Sequence, residues 1–164
     1  MSESYPSVES LIPHREPMRL LQRIVGETDD GGLICIGQIS ASHPLAGPAP
    51  DGDGKVASSM LGIELAAQAA AVLEGILTIR ATEGPFTPRI GYLVGLRGCH
   101  LNVPHLPVDR SLVATIHPSG RASSMAVYKI RVCIEDDGTE LLTGTVNTWL
   151  TDQLSEGLGD GAAE

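Results

Sequence analysis

The chain has 164 residues, 42% of them hydrophobic, which suits one domain with one core; its net charge of −9 argues against a nucleic-acid surface, because eleven scattered basic residues cannot neutralise a run of phosphates. The polar start, Met1 to Glu9, has no basic stretch leading into an apolar run, and no later segment stays apolar and uncharged for the ~20 residues of a membrane span, so a soluble cytoplasmic protein is expected. Cys35, Cys99 and Cys133 lie far apart in strand-like contexts and the five histidines show no helical i, i+4 pair, so reduced core thiols and no metal are expected.

In chain order, Ser7 to Leu11 suits a short helix, and Pro13 and Pro17 bracket His14-Arg15-Glu16 into a fixed turn, since each proline lacks an amide donor and restricts the residue before it. Arg19 to Val25 and Leu33 to Ile39, separated by the turn Asp29-Asp30-Gly31-Gly32, predict an opening hairpin. Ser42 to Lys55 holds three prolines and three glycines and reads as a surface loop with neither helix nor strand. Ser58 or Ser59 then caps one long helix from Met60 through Ile79. Its apolar residues surround the axis, so sheet must cover most of its sides. Gly91 to Leu96, Ser111 to Ile116, Ala126 to Ile134 and Leu141 to Leu150 read as strands, the last two joined by the turn at Asp136-Asp137-Gly138-Thr139. One helix followed by an antiparallel run predicts an α+β domain over 1–151, with a disordered acidic tail over 152–164.

The anomaly is Glu64, with Gln68 one turn further on, on the same face of an otherwise apolar helix. A carboxylate so placed is desolvated, which raises its pKa toward the range of a general acid or base; a glutamate satisfied by an arginine or backbone amides is the structural alternative.

Three blocks carry a resemblance. Leu11-Ile12-Pro13-His14-Arg15-Glu16-Pro17-Met18-Arg19-Leu20-Leu21 resembles the opening "L-x-P-H-R-x-P-M-x-L-L" of hot-dog dehydratases. Gly62-Ile63-Glu64-Leu65-Ala66-Ala67-Gln68-Ala69-Ala70-Ala71 is similar to their central-helix motif "G-x-E-x-M-A-Q-A-x-A", and Gly91 to Arg97 resembles the strand that follows. The subgroup most resembled is the small aryl-polyene-type (ApeP-like) one.

The resemblance implies a long central helix wrapped by an antiparallel sheet of five to six strands, and a homodimer or a heterodimer with a related dehydratase subunit, the sites lying at the subunit boundary. It implies dehydration of a 3-hydroxyacyl thioester, held on the phosphopantetheine arm of acyl carrier protein, to the trans-2-enoyl thioester without a cofactor. Glu64 matches the family acid, and amides near Ser59 and Met60 would polarise the carbonyl. Gln68 and Gly95 fall in the matching substrate-side blocks. The family's "G-H-F-P-G" histidine loop is absent. His43, in Ser42-His43-Pro44-Leu45, lies further upstream of Glu64 than the family spacing, and His14 matches the opening block at a position usually regarded as structural; either could be the base, or both could be ordinary hydrogen-bonding residues. His100, His105 and His117 read as surface residues. Val56 to Met60 lacks the proline of relatives, which bears on the chain length accepted. A hot-dog thioesterase and a non-catalytic acyl-binding subunit of a heterodimer are the alternative functions. An acidic carrier protein meeting this acidic chain needs a basic patch, for which Arg80, Arg89, Arg97 and Arg121 are candidates.

Overall fold

Alternation of apolar and polar residues in the second half of the chain builds the sheet that receives the helix. The computed structural model describes residues 5–151. In chain order these form α1 (Val8–Leu11), β1 (Leu21–Glu27), β2 (Leu33–Gln38), β3 (Ala46–Pro48), β4 (Lys55–Ser58), α2 (Met60–Ala81), β5 (Gly91–Leu101), β6 (His105–Pro107), β7 (Ser111–Ala122), β8 (Met125–Ile134) and β9 (Glu140–Leu150). Six strands pair antiparallel in the order β1-β2-β7-β8-β9-β5, and β3, β4 and β6 make a small second sheet. The acidic tail expected over 152–164 lies outside the described residues.

Leu112, Ala114 and Ile116 of β7 stand opposite Ile134, Val132 and Ile130 of β8, all buried, while Lys129 and Arg131 turn outward. On the next ladder Tyr128 and Val132 meet Val146 and Leu142 of β9. This face is filled by α2, whose Ile63, Leu65, Ala66, Ala69, Val72, Leu73 and Ile76 are buried on several sides of its axis. Burial of each large aliphatic side chain contributes about 1.5–3 kcal/mol. By length and composition α2 could cross a membrane, but here the curved sheet is its cover. A long helix laid in an antiparallel sheet is the hot-dog arrangement.

Four readings change. The loop expected over Ser42–Lys55 contains β3 and enters β4, strands held by Ala46↔Ala57 and Pro48↔Lys55 pairing and by the Ala57↔Leu106 contact to β6, which the sequence reading did not mark at all. Strands β5 and β7 run to Leu101 and Ala122, because pairing with β9 and β8 carries them past their apolar cores. Ser59 occupies the cap position of α2 without a capping side-chain bond: its hydroxyl donates to the carbonyl of Pro104, and Ser58 Oγ accepts from Met60 N at 3.3 Å instead. The wrapping is also incomplete. α2 packs on β2, β7, β8 and β9, but β5, at the sheet edge, stands off from it and exposes Tyr92, Leu93, Val94, Leu96 and Leu101.

Candidate active site

The turn that carries His14 is held from both sides. Arg15 Nη1 donates to the carbonyls of Ile12 and His14, both at 2.9 Å, and Met18 N and Arg19 N donate to the carbonyl of Arg15. From α2, Gln68 clasps the same segment: its Oε1 accepts from Leu20 N at 2.9 Å and its Nε2 donates to the Met18 carbonyl at 2.8 Å. The same Nε2 donates to Glu64 Oε1 at 2.9 Å. His14 Nε2 lies 3.4 Å from that oxygen, in ion-pair range.

Glu64 and His14 are about one-third exposed, at 35% and 32% of their side-chain surface. The expected upward displacement of the Glu64 pKa is reversed. His14 beside it, with the Gln68 amide, holds the carboxyl below its ordinary value of 4.5 against the opposing effect of burial. Glu64 is therefore a carboxylate at neutral pH. His14 Nδ1 is buried and has no hydrogen-bond partner.

The pair opens into a groove of about 530 Å³, open to solvent, between α2 and the start of β5 and end of β9. Ala67, Ala70 and Ala71 floor it, Gly91, Tyr92, Leu93, Thr148 and Leu150 wall it, and Glu74 with Arg89 stands at its other end. Glu74 is not among the residues the sequence singles out. It is 7% exposed, and its Oε1 accepts from Tyr128 Oη, buried on β8, and from Arg121 on β7. The signal available in sequence was its spacing: Glu64, Ala67, Ala71 and Glu74 share one helical face.

The structure brings His14, Glu64 and Gln68 together and leaves the other expected residues apart. His43 is 4% exposed in a different, polar cleft with Glu16, Arg19, Gln22, Gln38 and Ser40; Leu45 N donates to its Nδ1 at 3.1 Å, and its Nε2 has no partner. Ser59 and Met60 lie one turn before Glu64 and neither lines the groove. Gln68, 1% exposed with its amide oxygen and nitrogen both engaged, braces the site rather than meeting a substrate. Gly95 faces Asn147 on β9, outside the groove. His100 in β5 and His105 at the start of β6 are exposed, and His117 in β7 pairs with Asp30 at 2.8 Å. Of the candidate docking arginines, Arg80 pairs with Glu27 at 2.6 Å and Arg121 with Glu74, while Arg89 borders the groove. Among the described residues no three His, Cys, Asp or Glu side chains cluster as metal ligands.

A family model described as ApeP dehydratase, of the ApeP-like family, matches residues 6–158. No curated protein matches the sequence. Among solved structures, the chain is similar to the dehydratase heterocomplex ApeI:P from Xenorhabdus doucetiae, with 24% identity over 92% of this chain and 94% of that one and a TM-score of 0.75. It is similar in fold to a hypothetical thioesterase with coenzyme A from Streptococcus pneumoniae, 13% identical over 81% and 88% of the two chains at a TM-score of 0.53. A virulence protein from Campylobacter jejuni shares the fold at 15% identity, over 89% and 96%, with a TM-score of 0.57.

Proposed function

Because the chain belongs to the ApeP-like dehydratase family, we propose that it dehydrates a 3-hydroxyacyl thioester, carried on the phosphopantetheine arm of an acyl carrier protein, to the trans-2-enoyl thioester. The observation that supports this reading is the His14–Glu64 pair at one end of a groove with an apolar floor. In the proposed mechanism the pair carries one mobile proton. Passing it from His14 Nε2 to Glu64 Oε1 leaves a neutral imidazole, the base, beside a protonated carboxyl, the acid. The imidazole takes the proton alpha to the thioester carbonyl, and the electron pair forms the new double bond as the 3-hydroxyl departs. Glu64 gives that hydroxyl its proton, water leaves, and the pair returns to its starting charge. No electrons are gained or lost, so the step calls for no cofactor.

The second proposed component is a partner chain. The ApeI:P relative is a heterocomplex, and here β5 is a long exposed edge beside the groove, so we propose that a related dehydratase subunit pairs with β5 and closes the groove. Carrier docking is proposed near Arg89, bordering the groove, and Arg97 on the same strand edge.

The test is turnover of 3-hydroxyacyl pantetheine thioesters by the purified chain, alone and with a related dehydratase subunit, following enoyl absorbance and free thiol. Enoyl product is expected, reduced at least about 100-fold in Glu64→Gln and His14→Ala and largely kept in His43→Ala. Thiol release without enoyl product would favour a thioesterase, and a Glu64→Gln chain as active as wild type in the complex would make this the non-catalytic subunit.

A further inference from the structure

The groove floor is a straight run along one face of α2, from Glu64 past Ala67 and Ala71 to Glu74. Ten residues of helix make this about 15 Å long. At Glu74 and Arg89 the groove meets a second, shallow depression open to solvent, which shares Ala71, Glu74, Arg89 and Leu150 with it and continues toward Thr78 and Phe86. A charged threshold thus stands between two open stretches that would otherwise form one longer groove.

A charged residue at the end of a channel can either recognise a polar ligand or repel an apolar one. Recognition of a cationic ligand group needs a charge left unmatched. Here Glu74 Oε1 is already shared by Tyr128 Oη and Arg121, so the charge is matched within the protein, and both partners sit on neighbouring strands that hold it in place. An apolar chain crossing the threshold would have to bury methylenes against a paired charge and strip it of what solvation it keeps.

Resting on the dehydratase reading of this groove, we propose that Glu74, fixed by Arg121 and Tyr128, sets the length of acyl chain accepted: the chain lies along Ala67 and Ala71 and ends at the threshold. Ala71 is the last small residue of the floor before the threshold, where any larger side chain shortens it.

The test reads binding, so that it does not depend on turnover. Dissociation constants are measured for a homologous series of 3-hydroxyacyl pantetheine amides, from butyryl to octadecanoyl, in which a stable amide replaces the thioester. In wild type, affinity rises about fourfold per added methylene while the chain fills the groove, then stops rising once it reaches Glu74. In Glu74→Leu/Arg121→Leu/Tyr128→Phe, which leaves no buried charge or hydroxyl unmatched, the rise continues into longer chains. In Ala71→Phe, which keeps the threshold, the plateau comes earlier. A plateau at the same length in all three proteins overturns the proposal, even if the wild type dehydrates its substrate. A plateau that moves as described in a chain giving no enoyl product would sustain the length limit and sink the dehydratase reading. Absence of binding at every length removes both.

Discussion

In the proposed mechanism His14 and Glu64 share one mobile proton, and pH reports on the carboxylate of the pair. A carboxyl held below its ordinary 4.5 by folding takes up a proton less readily in the folded chain than in the unfolded one. Its contribution to stability is present above about 4.5 and lost as pH falls through the lowered folded value. The advantage of wild type over Glu64→Gln in urea midpoint is therefore expected to be largest near neutrality and to shrink in acid; an advantage that grew in acid would mean the carboxyl is shifted the other way. Gln68 is tested differently. Gln68→Ala leaves Leu20 N and the Met18 carbonyl without partners and unfastens the turn that presents His14. We expect a loss of about 1–3 kcal/mol by chemical denaturation. Enoyl formation should fall further than a change in stability alone produces; full activity would show that the turn holds without its clasp. Glu64 stood out in the sequence because a carboxylate on an apolar helix is costly without a reason. The sense of its pKa shift did not, because the imidazole that sets it comes from the opening turn, distant in sequence.

Among the elements, α2 was legible from alanine and leucine propensity, and β8 from the alternation of Tyr128, Ile130 and Val132 with Lys129 and Arg131. The three strands of the small sheet were not. Each is three or four residues long, β3 in a stretch rich in proline and glycine, and they exist because Ala57 and Leu106 bury together beneath the start of α2; no periodicity develops over so few residues. Close approach of elements left clearer marks. Gly37 of β2 lies where an added Cβ would come within 2.5 Å of the Leu20 carbonyl oxygen and of Leu65 Cδ1 on α2. The carbonyl belongs to the backbone that Gln68 clasps and cannot yield as a flexible side chain could. Gly37→Ala should cost about 1–3 kcal/mol, seen as a lowered urea midpoint; an unchanged midpoint would mean that β2 and the His14 segment can separate freely.

Among the described elements, α2 packs on β1, β2, β4, β7, β8 and β9 but stands off from the edge strand β5. The edge strand carries Tyr92, Leu93, Val94 and Leu96 into solvent, with Trp149 beside Tyr92 at 6.3 Å between ring centroids. If a second chain completes this edge, Val94→Asp with Leu96→Asp puts two carboxylates into the seam. Light scattering should then show a single chain where the wild-type complex has two, and a complex of unchanged mass would place the partner elsewhere. Helix position could be read from composition and pattern. The open side could not, because an exposed apolar strand and a buried one are spelled with the same residues.

That open side also bears on how much of this protein a cell can keep. A newly made copy offers a ready template of unpaired backbone and apolar side chains along β5, and such an edge takes up whatever strand it meets first. If a partner subunit pairs with β5 as proposed, its supply, rather than the chain's own rate of synthesis, governs the surviving amount. Production alone should give mostly insoluble or degraded material, and matched co-production soluble pairs; equal soluble yields in both would mean that the edge is harmless by itself.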